Sequence, residues 1–294
     1  MKDVQTILIT GTTTGIGRHA ALHLARAGHH LIATGRSTKA LEALRVEAAG
    51  LRLDVVTLDV TDRASLADAA EEVMRLTDGR GVDVLVNNAG YGEMAPMLEV
   101  READVRAMYE TNVFGLLAVT QAFLPAMVAR GRGRIVNISS VGGRGTLPLF
   151  GAYNSTKYAV ESLSDAMRME LRPLGIHVVI IEPAATKTEF ANTSVRKVDT
   201  YRRADSPYAP VYARIDEIKA QAERLAADPS VISRAIERAV TARAPRARYV
   251  APFIGQVLVA LSAWLPTRAF DWLMSRSMGV TRAVLVPARR QGAA

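Results

Sequence analysis

"LITGTTTGIG", residues 8–17, is the stretch that decides the architecture of this chain. An apolar run closes on three nearby glycines, Gly11, Gly15 and Gly17, and "RHAALHLARAG" follows with helical spacing, so the segment reads as strand, tight turn and helix in succession. Glycines let a backbone come close to a ligand. The first turn of the helix adds unpaired N–H groups and the positive end of the helix dipole, a combination suited to a pyrophosphate. Thr12, Thr13 and Ile16 belong to the same turn and are expected beside the ligand with the glycines.

Outward from this segment the alternation continues. "HLIATG", "RLDVVTLDV", "VDVLVNNAG", "RIVNISS" and "IHVVIIEP" are strand-like and separated by helical patterns, including a long helix near 104–129. Strands joined through helices require right-handed crossovers and a parallel sheet covered on both faces, the doubly wound α/β plan. The strands are nearly continuous in Val, Ile and Leu, as burial of both sheet faces demands. "ARYVAP" reads as a further strand, which makes about seven. Residues 1–250 are expected to form one nucleotide-binding catalytic domain. It includes a polar, proline-bearing substrate loop over 184–227, a length of irregular chain that compact domains reserve for function or motion. "DPSVISRAIERAV" restarts a helix, with Asp228 as N-cap and Pro229 at its first position. Residues 251–294 read as a C-terminal helical extension of the same domain, with only the last few residues disordered. Its longest apolar run, near 257–265, stops at Pro266 and is too short to span a bilayer.

Composition narrows the chemistry. Of 294 residues, 49% are hydrophobic and 22% charged, enough for a substantial core. Cysteine is absent, which removes disulfides, thiolate nucleophiles and Cys-based zinc sites. Of five histidines only His19 and His23 have ligand-like spacing, with no third ligand near, so no metal site is expected. "MKDVQTILIT" lacks the features of a secretory leader, and a cytoplasmic protein is expected. The net charge of +8 is uneven: residues 196–294 hold 17 Lys and Arg against 8 Asp and Glu, whereas the first 195 hold 20 against 21. The basic residues of the tail are scattered without aromatic platforms, and nucleic acid is not an expected partner.

At the end of the second strand an NAD-binding protein places a carboxylate for the ribose 2′-hydroxyl. This chain has "ATGRS", with Arg36 and Ser37 there. A guanidinium binds a 2′-phosphate that a carboxylate would repel, so NADP(H) is the expected cofactor. "VLVNNAG" ends the fourth strand with Asn88, Ala89 and Gly90, which face the glycine turn if strand order reverses between the first and fourth strands. Asp59 and Val60, at the end of the third strand, are expected near the adenine.

In "AYNSTKYAV", residues 152–160, Tyr153 and Lys157 stand one helical turn apart and share a face. An ammonium ~4 Å from a phenol, at an effective dielectric near 20, favours phenolate by roughly 4 kcal/mol, about three pKa units. That lowers the phenol toward neutrality, where proton exchange is most useful. "NISS" places Ser140 thirteen residues before Tyr153.

Gly11-x3-Gly15-x-Gly17, Asn87-Asn88-Ala89-Gly90, Ser140 and Tyr153-x3-Lys157, in this order and spacing, resemble the short-chain dehydrogenase/reductase family. The likeness covers residues 5 to about 190. "SVGG" and "LPLFGAY" resemble its steroid and retinol dehydrogenase branch. The resemblance implies a Rossmann fold, Tyr153 as general acid/base, Ser140 polarising the substrate oxygen, and Lys157 contacting the nicotinamide ribose. It implies further that Asn112, in "YETNVFG", holds a water that links Lys157 to solvent, and that Pro183, Thr186 and Thr188 lie along the nicotinamide end. The family usually has Pro-Gly where this chain has Pro183-Ala184, a change able to shift that loop.

The link "SVGGRGTLPLFGAY" is small and apolar apart from Arg144, and "YGEMAPML" adds Met94, Pro96 and Met97. A pocket so lined suits a hydrophobic alcohol or ketone. The reading is therefore an NADP(H)-dependent oxidoreductase. The alternative is a cofactor-sensing or partner-binding module of the same fold, which would be expected to lack one of the four polar residues. An epimerase of nucleotide sugars shares the Tyr-x3-Lys pair but fits the rest poorly. The basic, apolar C-terminal region suits an oligomer contact or lid, ahead of peripheral contact with an anionic membrane.

Overall fold

The computed structural model describes residues 4–190, 194 and 197–286. β1 (Thr6–Ile9) leads through the glycine turn into α1 (Gly15–Arg26), and the rhythm continues with β2 (His30–Gly35), α2 (Thr38–Glu47), β3 (Leu53–Thr57), α3 (Arg63–Leu76) and β4 (Val84–Asn87). After β4 come α4 (Glu102–Tyr109), α5 (Leu116–Ala129), β5 (Gly133–Ile138), α6 (Gly151–Leu171), β6 (Ile176–Pro183) and, beyond a long insertion, β7 (Arg248–Ala251). The seven strands form one sheet in the order β3-β2-β1-β4-β5-β6-β7, every pair parallel. This is the doubly wound fold expected from the sequence.

The apolar runs are continuous because adjacent strand residues point to opposite, equally buried faces. In β1, Ile7 and Ile9 join Leu24 of α1 and Ile236 of the helix Pro229–Thr241 on one face, while Leu8 joins Val119, Met127 and Ile135 on the other. His19 and His23 serve this packing: His19 Nδ1 lies 2.7 Å from Ser233 Oγ and His23 Nε2 lies 2.8 Å from Glu237 Oε2, which pins α1 to Pro229–Thr241.

The expected long helix is two α-helices joined by a π-helical turn, Glu110–Gly115. Together Glu102–Ala129 is long and apolar enough to cross a membrane, yet half of its most apolar stretch is buried inside the protein. We read it as a core helix of the sheet.

The 184–227 segment carries the short helix Ala209–Tyr212 and the helix Ile215–Leu225; its residues 191–193, 195 and 196 lie outside the described residues. Three carboxylates of the segment after β4 hold it. Glu93 pairs with Lys197, Glu99 accepts from the Ser206 and Tyr212 hydroxyls, and Asp104 accepts from Tyr201 at 2.5 Å. Met94 is buried in this contact with Val198, Tyr201 and Tyr212, so it packs beneath the insertion and does not face a substrate.

Beyond β7, Phe253–Trp264 and Thr267–Ser277 form helices with Phe253, Trp264 and Trp272 largely exposed. Residues 287–294, and with them the expected disorder of the last few residues, lie outside the described residues.

Candidate active site

Strand order reverses between β1 and β4, so the carboxyl ends of these strands open a crevice. The glycine turn forms one wall and is in contact with the Asn88-Ala89 segment. A β-carbon on Gly11, which has φ +70°, would fall 2.9 Å from Ala89 Cα, and one on Gly17 would fall 2.3 Å from Asn88 Nδ2. The Asn88 side chain fixes this contact, donating to the Thr10 carbonyl at 2.8 Å and the Gly11 carbonyl at 3.0 Å. Thr14, the N-cap of α1, makes no side-chain cap, which leaves the helix's first amides for a ligand. These residues fit a dinucleotide: close backbone walls and donor N–H groups meet at a helix start.

Not every predicted contact faces the crevice. Thr12 is fully buried, its amide and hydroxyl both bonded to the Thr34 carbonyl, so its side chain shapes the turn. Thr13 lies over Gly35, where a β-carbon would meet its Cγ2 at 2.7 Å, and Ile16, in the first turn of α1, packs against the core. Arg36 is exposed, its guanidinium 4.0 Å from Asp59 Oδ2. Ser37 caps α2 by accepting from the Ala40 amide at 3.2 Å. Asp59 Oδ1 is taken by the amide and hydroxyl of Thr61, and Val60 is buried against Gly115. From the far side, Thr188 comes over Gly15, its Cβ 3.5 Å from where a glycine β-carbon would be. Thr186 holds its own loop by donating to the Ala184 carbonyl at 2.9 Å.

Ser140 stands at the exit of β5 and Tyr153 on the first turn of α6, with the Ser140 side chain acting to hold the phenol's pKa down. Ser140 Oγ also accepts from the Gly142 amide at 3.0 Å and lies 3.4 Å from the Pro183 carbonyl, so it is aimed by the turn that follows it. Ser139 lies on another side: a β-carbon on Gly143 would fall 2.9 Å from Ser139 Oγ and 3.0 Å from Glu161 Cγ. One turn along α6 from Tyr153, the buried Lys157 ammonium lies 5.8 Å from the phenol ring centroid and donates to the Ile138 carbonyl at 2.9 Å. The wall around the phenol is aromatic: Phe190 stands 5.3 Å from its ring and Phe150 6.4 Å. Asn112, in the π-helical turn, accepts from the Tyr91 amide at 3.0 Å and donates to the Tyr91 carbonyl at 2.8 Å and to Thr156 Oγ1 at 3.0 Å. A β-carbon on Gly90 would touch Asn112 Oδ1 at 3.0 Å and Lys157 Nζ at 3.7 Å, which places those two groups around one glycine. Thus the structure brings Asn112, Ser140, Tyr153 and Lys157 to one side of the crevice.

The electrostatics differ from expectation. Burial pushes the Tyr153 phenol up to about 12, with the Ser140 side chain opposing, so the phenol is not brought toward neutrality. Lys157 is itself lowered to about 8 by burial, with Glu161 opposing, and its ammonium is turned to a carbonyl. It is therefore a weaker and less direct source of positive potential than the ~4 Å pair of the sequence argument.

Arg144, the charged exception in the apolar link between Ser140 and Tyr153, pairs with the fully buried Glu182 at 3.4 Å. Glu161, Glu182 and Arg248 form a buried charge cluster that sequence reasoning missed; the one available signal was that Glu161 lies four residues after Lys157, on the same helix face.

Residues 5–199 match the family model described as short chain dehydrogenase. The uncharacterized oxidoreductase YbbO of Escherichia coli (strain K12) is 33% identical over 270 residues, covering 92% of this chain and 94% of its own. The 17-beta-hydroxysteroid dehydrogenase type 6 of Rattus norvegicus is 32% identical over 282 residues, covering 92% and 88%. Among solved structures, a short-chain dehydrogenase from Streptomyces avermitilis superposes with a TM-score of 0.75 at 31% identity, over 95% of this chain and 98% of that one. A variant of actinorhodin polyketide ketoreductase with NADPH gives 0.71 at 27%, over 85% and 96%. With its glycine turn, reversed strand order and Ser–Tyr–Lys–Asn grouping, the chain belongs to the short-chain dehydrogenase/reductase family, on the side of its steroid and retinol dehydrogenase-like members.

Proposed function

We propose that this oxidoreductase uses NADP(H) to interconvert a hydrophobic alcohol and its ketone or aldehyde, with Tyr153 as the general acid/base. Family membership establishes the coarser statement, a hydride-transfer oxidoreductase acting on CH–OH groups. The observation that carries the finer one is the buried Tyr153 phenol inside an aromatic wall, one helical turn from Lys157, whose ammonium lies 5.8 Å from the phenol ring centroid.

When bound, the nicotinamide supplies or accepts the hydride. The chain's own residues handle the oxygen. Ser140 holds the carbonyl oxygen and Tyr153 gives it a proton, a direction favoured by a phenol that burial keeps protonated at neutral pH. The Ser140 hydroxyl and the Lys157 ammonium then offset the charge left on the phenol oxygen. Phe150 and Phe190 keep water from the ring and favour an apolar substrate. Arg36 supports NADP(H) over NAD(H), since the end of β2 offers a guanidinium where a carboxylate would exclude a 2′-phosphate. The rat relative's steroid name and the NADPH of the ketoreductase structure point the same way.

The test is NADPH consumption with a panel of apolar ketones. Tyr153→Phe is expected to lower turnover by about 10²–10⁴-fold, and equal rates in the two proteins would refute the assigned acid. Arg36→Asp is expected to weaken NADPH binding by roughly ten- to hundred-fold, the loss of one charge-assisted hydrogen bond of about 1.5–3 kcal/mol. Unchanged NADPH affinity would remove the cofactor assignment.

A further inference from the structure

Four arginines line one cleft of about 530 Å³ at the β7 edge of the sheet. Arg234 and Arg238 come from the helix Pro229–Thr241, Arg246 from the segment before β7 and Arg248 from β7, while Phe253 and Gln256 begin the helix that closes it. No carboxylate among the described residues lines the cleft. Arg248 is committed to Glu161, Asp165 and Glu182. The other three are exposed, and among the described residues none of them is in an ion pair; Arg234 donates to Ser230 Oγ at 3.2 Å. The closing helix, Phe253–Trp264, has no charged residue. Phe253, Val257, Ala260 and Trp264 fall on one face of it at spacings of four, three and four, and all four are exposed. Phe253 belongs to both features, so this apolar stripe starts at the arginine cleft and runs roughly 16 Å from it. We propose that this edge is a docking surface for an anionic lipid bilayer, with phosphate headgroups at the arginine cleft and the stripe laid into the interface.

The opposite side of the helix is already occupied. Gly255 is buried against Ala184 and Val141, and a β-carbon on Gly145, in the link between Ser140 and Tyr153, would lie 3.0 Å from Ser262 Cβ and 3.2 Å from Phe270 Cζ. The helix is thus fixed to the body with its apolar stripe turned out. Trp264 is 87% exposed and Trp272, on the next helix, 63%, with the Arg276 guanidinium 5.7 Å from its ring centroid. An apolar patch rimmed by charge marks a contact with another protein or with a membrane. Charge chooses between them. A second copy of this edge would set guanidinium against guanidinium, whereas a bilayer offers phosphate at the level of the arginines and hydrocarbon below it. Tryptophan favours that boundary, and arginine can bury its stem there while its head stays with the phosphates. Twelve residues are too few to cross a bilayer, so the helix lies along the surface.

The chain has two tryptophans, and both stand on this surface, so intrinsic fluorescence reads it directly. The full-length protein is mixed at low salt with vesicles of phosphatidylcholine alone or of phosphatidylcholine with phosphatidylglycerol, and binding is measured by flotation. Binding to the phosphatidylglycerol vesicles is expected, with tryptophan emission shifted to the blue and shielded from a soluble quencher; phosphatidylcholine alone binds at least ten-fold more weakly. Replacing Arg234, Arg238 and Arg246 together by Gln is expected to weaken binding by about ten- to hundred-fold, and Trp264→Ala by about ten-fold. If the triple variant fails to fold, added salt tests the same arginines in the parent, whose binding is expected to fall as salt rises. Protein that stays in solution with anionic vesicles at low salt overturns the proposal. So does binding that leaves tryptophan emission and quenching unchanged, binding that survives the triple replacement, or a stable self-associated form that buries both tryptophans and ignores vesicles. None of these readouts uses ketone reduction, so failure here leaves the function proposed above untouched.

Discussion

Ala184 and Gly255 are fitted to each other: a β-carbon on Gly255 would lie 3.0 Å from the Ala184 β-carbon, 3.1 Å from Val141 Cγ1 and 3.2 Å from Val250 Cγ1. The sequence departs from Pro-Gly at Pro183-Ala184, and the structure shows where the additional methyl goes. It rests against the helix Phe253–Trp264, while the Ala184 amide donates to the Ala251 carbonyl at 2.9 Å and extends the β6–β7 pairing. The helix Phe253–Trp264 thus backs the loop that leads to Thr186 and Thr188.

Gly255→Ala is expected to overpack this contact and destabilise the protein by about 1–3 kcal/mol, with Thr188 displaced from Gly15. Ala184→Gly in the same chain is expected to restore part of the loss, because it removes the nearest of the three clashing atoms. Thermal melts of the two single variants and the double variant measure the coupling.

Ser140→Ala takes away the hydroxyl that opposes the upward pKa shift of Tyr153 and the group proposed to hold the substrate oxygen. Turnover is expected to fall by roughly 10²–10³-fold, the usual loss on removal of one oxyanion donor, with NADPH affinity within two-fold of the parent. Ser139→Ala is expected to spare turnover by comparison, since that hydroxyl lies on the side of Gly143 and Glu161. Steady-state kinetics on one ketone, with a separate fluorescence titration of NADPH, distinguishes these outcomes.

Burial raises the Glu182 carboxyl from 4.5 to about 7. A folded-state pKa above the unfolded one means that the native protein binds the proton more tightly. The resulting stabilisation is complete below about 4.5 and is lost as pH rises through about 7. Glu182→Gln is expected to flatten this part of the stability–pH curve, so the difference in Tm between variant and parent changes in the variant's favour from pH 5 to pH 8. A constant difference across that range would show that Glu182 does not titrate there.

The sheet was legible because each strand is buried on both faces, and that requirement alone produces the uninterrupted apolar runs around Ile7, Leu31, Leu85, Ile135 and Val179. The glycine turn and the Tyr153–Lys157 pair were legible because their geometry is local, fixed within one turn of chain. What escaped depends on distant segments. Thr12 has the composition of a ligand contact, but β2 supplies the Thr34 carbonyl that turns it inward. Met94 looks like a substrate wall until the 184–227 insertion covers it. Arg144 follows the catalytic serine, yet β6 offers it a buried carboxylate. The tyrosine pKa was misjudged for the same reason, since a pairwise charge argument omits the desolvation that the finished fold imposes.

Arg248 sits on the last strand to be synthesised, while Glu161 and Glu182 are made far earlier. A nascent chain that has extruded β1 to β6 holds both carboxylates beside an open sheet edge with their shared guanidinium still in the ribosome. Translation must therefore run past residue 248 before this interior can be sealed from water, and a chain stopped a few codons short would leave Glu161 without its guanidinium and Glu182 with Arg144 alone, next to its reaction centre.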